Sequence, residues 1–231
     1  MKLIPAHLPQ AASLPLRSSR PRVLVIHTTG RSLTGHAIDT AGPAWPEVEK
    51  AACDWYRTSG TPDFGGYLVG PSGAAYKLAD DDRRTRHAAA LDHHYTAGDR
   101  TGWRAWARID GSWRRHGRDP AKVWDWWDAR WPNVVSPADL AAGPHPNDGI
   151  GIDLLPTMSG AYTPEQVQAL AELVATLCQA HGIPHDRRHV LGHEDVDPCG
   201  RGAVLRGGKI LGVPWDPSEA LHWEALGLEA A

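Results

Sequence analysis

The stretch "RVLVIHTTG", Arg22–Gly30, carries the reading of the fold. Val23, Leu24, Val25 and Ile26 form a four-residue apolar run with a polar segment behind it. Such a run is too short for a buried helix and has the composition of a buried strand. His27 stands at its C-terminal exit, the edge at which α/β sheets present ligands. A second stretch, "HVLGHE", His189–Glu194, repeats the arrangement with His193 at the exit. If these two strands are neighbours in one sheet, both imidazoles converge on the same edge. Spacing alone leaves two readings open, a pair of metal ligands or two hydrogen-bonded structural histidines.

Other elements fall around this pair. "AWPEVEKAACDWYRTSG" places Trp45, Val48, Ala52 and Trp55 near helical spacing, with Gly60 as a stop. "GGYLVGPSGAAYKLAD" reads as a hairpin with strands Tyr67–Val69 and Ala74–Leu78 around a Pro71–Gly73 turn. "GIGIDLL" gives a strand from Gly151 to Leu155. In "YTPEQVQALAELVATLCQAHG", Thr163 is an N-cap, Pro164 fits the first helical position and Gln166 completes a capping box. Val167, Leu170, Val174, Leu177 and Cys178 make the apolar stripe of that helix, and Gly182 stops it. "HVLGHE" is the last strand expected, and "PSEALHWEALGL" a short closing helix. Residues 1–20 read as an irregular arm. Residues 92–148 fit the alternation poorly and read as an insertion between hairpin and strand, with seven of the chain's 11 Trp in it. The expected architecture is α/β: one domain over 21–231, with a mixed central β-sheet flanked by helices and a Trp-rich insertion.

Bulk properties exclude several classes. The 231 residues are 42% hydrophobic and 22% charged, enough to bury a core without staples. A net charge of −3 gives no electrostatic case for nucleic acid. Cys53, Cys178 and Cys199 are an odd number at unrelated spacings, compatible with a reducing compartment. The first 20 residues are broken by Pro5, His7, Pro9 and Gln10 and make no signal-peptide core. No apolar run approaches the roughly 20 residues that span a bilayer. The expectation is a chain made in the cytoplasm, monomeric and without stable membrane insertion.

A hydrolytic zinc site uses three protein ligands and keeps one position open for water. His27 and His193 offer two. Candidates for the third are Asp195, Asp197, Cys199 and the more distant Asp216. Cys199 is the softest donor, although a free cysteine is also a common buried small hydrophobe.

Taken in order, "VLVIHTTG", "GGYLVGPSGAAYKLADDDRRTRHA", "NDGIGIDLL", "YTPEQVQALAELV" and "HVLGHEDVDPCGR…WDPSEALHW" resemble the zinc N-acetylmuramoyl-L-alanine amidases of type 2, the family that includes peptidoglycan recognition proteins. The resemblance covers roughly 22–91 and 147–224; the insertion has no counterpart in it. It implies a mixed sheet with Zn2+ at one edge in a substrate groove. His27 and His193 then look like the first two ligands. The third is Asp or Cys according to branch: Asp216, in "DPSEALHW", matches the Asp branch, and Cys199 is the alternative, six residues after His193. Asp153 matches a glutamate that acts as general base, one methylene longer. Its bland alternative is a carboxylate held by backbone N–H groups. Arg201 matches an oxyanion-stabilising lysine, with Lys209 as a second candidate. His87 matches a groove histidine that is not a ligand. The tyrosine that phage members carry at the start of the hairpin strand is missing; Gly65 or Gly66 stands there.

The resemblance implies hydrolysis of the bond between N-acetylmuramic acid and L-alanine, in peptidoglycan or soluble muropeptides. In the insertion, Trp103 is the residue expected on the groove wall, with Arg104, Arg114, Arg115 and Arg130 as partners for stem-peptide carboxylates. The other Trp fit a satellite core. The competing reading is a non-catalytic muropeptide-binding module of the same fold, distinguished by loss of the third ligand. A scaffold or inhibitor protein using the Trp-rich insertion as a partner surface is a third. An endolysin, a secreted effector and a cytosolic recycling enzyme all fit the chain.

Overall fold

A computed structural model describes residues 1–17, 20–29, 45–61, 63–87, 149–156, 161–187, 189–193, 203–206, 209–212, 217 and 221–228. Its centre is a six-stranded mixed sheet. The strands are β1 (Lys2–Pro5), β2 (Leu24–Thr28), β3 (Tyr67–Val69), β4 (Ala74–Lys77), β5 (Ile150–Leu154) and β6 (Val190–Gly192), in the order β1-β4-β3-β5-β2-β6. Only the hairpin β3–β4 is antiparallel; all other neighbours run parallel. The strands leading to His27 and His193 are neighbours, the condition on which the two imidazoles converge, since β2 lies between β5 and β6.

Helix α1 (Trp45–Ser59) covers one face of the sheet and α2 (Pro164–His181) the other. On the α2 side, Leu24, Ile26, Ile152 and Val190 pack against Leu170, Leu173, Val174 and Leu177. On the α1 side, Leu68, Tyr76 and Leu78 pack against Ala52, Cys53 and Tyr56. The split follows from strand period two, which sends alternate residues to opposite faces. Every residue of β5 is buried, as expected of a central strand covered on both faces. Truncating the fully buried Leu170 to Ala would cost about 2–5 kcal/mol.

Several local expectations need correction. The arm is not irregular: β1 pairs with β4, and Leu8, Ala11 and Leu14 are buried in the α1-side core. Pro5 closes β1, which is an edge strand, where a proline is tolerated. Pro9 opens a 3-10 turn over Pro9–Ser13. The capping box on α2 is half made. Thr163 accepts from the Gln166 backbone N–H at 3.1 Å, but the Gln166 amide turns into the core and donates to the carbonyls of Val69 and Leu155. Two buried carbonyls outweigh the cap. The stripe of α1 is rotated from the expected one: Glu49, Ala52, Cys53 and Tyr56 are buried, while Trp55 is 37% exposed. Glu49 is tolerated inside because the Ser72 N–H, the Ser72 hydroxyl and the Tyr76 hydroxyl all donate to it.

β6 is not the last strand either. A hairpin of β7 (Ala203–Arg206) and β8 (Lys209–Gly212) follows it as a separate two-stranded sheet. The closing segment forms a single 3-10 turn, Trp223–Leu226, ended by Gly227 at φ 65°. Among the described residues, no helix is long and apolar enough to cross a membrane. The insertion lies outside the described residues.

Candidate metal and hydrolytic site

Strand pairing places the site. His27 pairs with Asp153 across β2–β5, and Asp153 pairs with Leu68 across β5–β3. Residues in register on neighbouring strands share a face, so His27 and Asp153 lie side by side on the α1 face. Ile26 pairs with Gly192, and His193, the next residue along, falls beside His27. The three side chains arrive from three adjacent strands of one sheet edge. They are buried, at 3–6% exposure, with His87 at 9% beside them.

The imidazoles form a connected chain. His27 Nδ1 lies 3.0 Å from His193 Nδ1. On its other side, His27 Nε2 lies 2.9 Å from His87 Nδ1, and His87 Nε2 lies 3.1 Å from the Gly149 carbonyl. A carbonyl only accepts, so His87 carries its proton on Nε2. Burial pushes the His87 imidazole well below the ordinary histidine range, and neighbouring His27 pushes it the same way, against the Gly149 bond. His87 is therefore neutral, and its Nδ1 accepts. His27 must then donate from Nε2, which in the neutral ring leaves its Nδ1 lone pair directed at His193.

This arrangement fits a metal. Two imidazole nitrogens on one tetrahedral zinc, each at about 2.0–2.1 Å, stand roughly 3.3 Å apart, close to the 3.0 Å seen between the Nδ1 atoms. The outer hydrogen bond from His27 to His87 is the kind that fixes the tautomer of a metal-bound histidine. Among the described residues, no group of three or more His, Cys, Asp or Glu side chains is arranged to hold an ion. Asp216 and Cys199 lie outside the described residues, as do Arg201, Trp103, Asp195 and Asp197; of Lys209, the backbone in β8 is described.

Asp153 is held from two directions. Its Oδ2 accepts from the Gly65 N–H at 2.9 Å and from the Tyr56 hydroxyl at 3.1 Å. Gly65 has to be glycine: a Cβ there would meet the Gly151 carbonyl oxygen at 2.8 Å and Asp153 Cγ at 3.2 Å. That close approach gives a physical reason why no tyrosine stands at this point of the chain. Gly151 is constrained likewise, since a Cβ on it would lie 2.5 Å from His87 Cγ. His87, expected on the groove, stands against His27 and over Gly151, with both ring nitrogens engaged.

The sequence reading gave Tyr56, Gly65 and Gly151 no part in the site. A stripe of 49, 52, 53 and 56, helical in spacing with one polar member, was the available signal for Tyr56. Nothing in local sequence marks either glycine.

Fold and site together define a class, an α/β domain with a histidine pair and a carboxylate at one sheet edge. The family model described as N-acetylmuramoyl-L-alanine amidase matches residues 17–203, and the chain belongs to that family. Similar solved structures include an AmpD derivative (19% identity, 98% of this chain and 92% of that one, TM-score 0.48). A mutant endolysin from Bacillus subtilis (13%, 84% and 84%, 0.46) and a mutant of PlyL (10%, 90% and 86%, 0.45) are also similar. TM-scores below 0.5 add nothing to what the family match shows. No curated protein matches.

Proposed function

We propose that this chain hydrolyses the amide bond between N-acetylmuramic acid and L-alanine, and that it does so with zinc held by His27, His193 and Asp216. The observation that carries this is the Nδ1 pair at 3.0 Å, with Asp153 beside it in strand register. A zinc ion there supplies Lewis acidity, bringing the pKa of a water to about 7 and polarising the scissile carbonyl. Asp153 takes a proton from the attacking water and returns it to the alanine nitrogen as the C–N bond breaks. Arg201 supplies positive charge to the tetrahedral oxyanion. His87 keeps the His27 Nδ1 lone pair available throughout. Trp103 contributes a face for sugar stacking on the groove wall. Its substrate is peptidoglycan or a muropeptide derived from it, and the protein acts as a monomer.

Digestion of intact sacculi and of soluble anhydromuropeptides, side by side and with product masses, tests this. Release of free stem peptides beginning with L-alanine is the expected result. Retention of muropeptide with no bond cut would favour a binding module instead.

A further inference from the structure

We propose that Tyr56, from helix α1, is a positioning residue for the reaction: with the Gly65 N–H it fixes the carboxylate of Asp153 in its working orientation. This rests on the hydrolytic reading above. A side chain as short as aspartate reaches a substrate only if its backbone is close and its carboxylate is turned correctly. Strand β5 provides the first condition by setting Asp153 beside His27. The second needs donors outside the strand, because the rotation of a carboxylate about its last torsion is broad and soft.

Two donors converge on the one oxygen, Oδ2, from different elements. The Gly65 amide belongs to the approach to β3 and the Tyr56 hydroxyl to α1. Donors to an ionised carboxylate make charge-assisted bonds, roughly twice as strong as neutral ones.

Tyr56 is itself held firmly. It is 4% exposed, with the rings of Trp55 and Phe64 edge-on at 5.3 and 6.2 Å. Its carbonyl accepts from the Gln10 side chain at 2.7 Å, which ties this turn of α1 to the N-terminal arm. The arm and α1 thus brace a phenol whose oxygen reaches the sheet edge. A tyrosine wanted only for packing would be served equally by phenylalanine, and this is the distinction the experiment exploits.

Tyr56→Phe keeps the ring and removes the donor. In the full chain loaded with zinc, kcat on purified muropeptide is expected to fall about tenfold to a hundredfold, with KM within about twofold and zinc content unchanged. A second readout needs no metal: the amide resonance of Gly65, which reports its bond to Asp153, should move in metal-free Tyr56→Phe. Asp153→Asn should move the same resonance in the wild-type background, and adding Tyr56→Phe to it should change kcat no further. Wild-type kcat in Tyr56→Phe with an unmoved Gly65 amide would overturn the proposal. So would a loss of kcat on adding Tyr56→Phe that is the same whether or not Asp153→Asn is already present. A wild-type chain that cleaves no muropeptide would overturn the hydrolytic reading itself, and this proposal with it.

Discussion

Replacing His87 by leucine tests the logic of the histidine chain. The change removes the acceptor for His27 Nε2–H, now 2.9 Å away, and the donor to the Gly149 carbonyl, now 3.1 Å away. Both groups it abandons are buried, and each buried orphan costs about 1–3 kcal/mol. The metal-free chain should therefore lose about 2–6 kcal/mol of stability. Zinc affinity should fall about tenfold to a hundredfold, because the His27 ring is no longer held to the Nδ1 lone pair. His87→Asn is the informative companion. Its amide oxygen can stand near the lost Nδ1 and accept from His27, so it should recover part of the affinity. Competition titration against a chromophoric zinc chelator measures this, with urea denaturation reporting stability separately. A folded His87→Leu chain that binds zinc as tightly as wild type would refute the tautomer argument.

Three further outcomes follow from the geometry. Gly65→Ala should destabilise the fold by about 1–3 kcal/mol in thermal melts and depress kcat, because its Cβ would press on the Gly151 carbonyl and Asp153. Thr163→Ala should cost about 1–2 kcal/mol by denaturant titration, since the hydroxyl accepts from Gln166 N and donates to the Pro71 carbonyl at 2.6 Å. Asp81→Asn should flatten the acid limb of a stability-against-pH curve. Burial works to raise the Asp81 carboxyl, but bonds from Tyr67, His181 and Lys77 outweigh it and hold the group below the usual range. A depressed folded-state pKa gives stability that is full above the unfolded value near 4 and is lost as pH falls through the folded one. A variant whose acid limb matches wild type would contradict that assignment.

What the sequence disclosed was governed by periodicity. Four apolar residues ahead of His27, and "HVLG" ahead of His193, placed two histidines at strand exits, and parallel pairing with β2 brought them together. Asp153 was read from the family resemblance, in which it matches a glutamate, and its place beside His27 came only with the strand register. The bland alternative for Asp153, a backbone N–H partner, is present at Gly65. Contacts decided by tertiary fit stayed hidden. Gln166 obeys a local capping pattern, yet two buried carbonyls across the core claim its amide. Tyr56 sat in a helix whose true stripe was masked by Glu49, a charge that three donors satisfy inside the core. The choice between Asp216 and Cys199 as third ligand lies outside the described residues and rests on the family resemblance.

That His27 and His193 hold one metal ion between their Nδ1 atoms is tested most directly by elemental mass spectrometry. The purified, zinc-loaded chain is compared with His27→Ala and His193→Ala. About one zinc per wild-type chain and close to none in either variant is the expected result, with far-UV circular dichroism unchanged. Zinc-free wild type, or variants that keep full zinc occupancy, would contradict it.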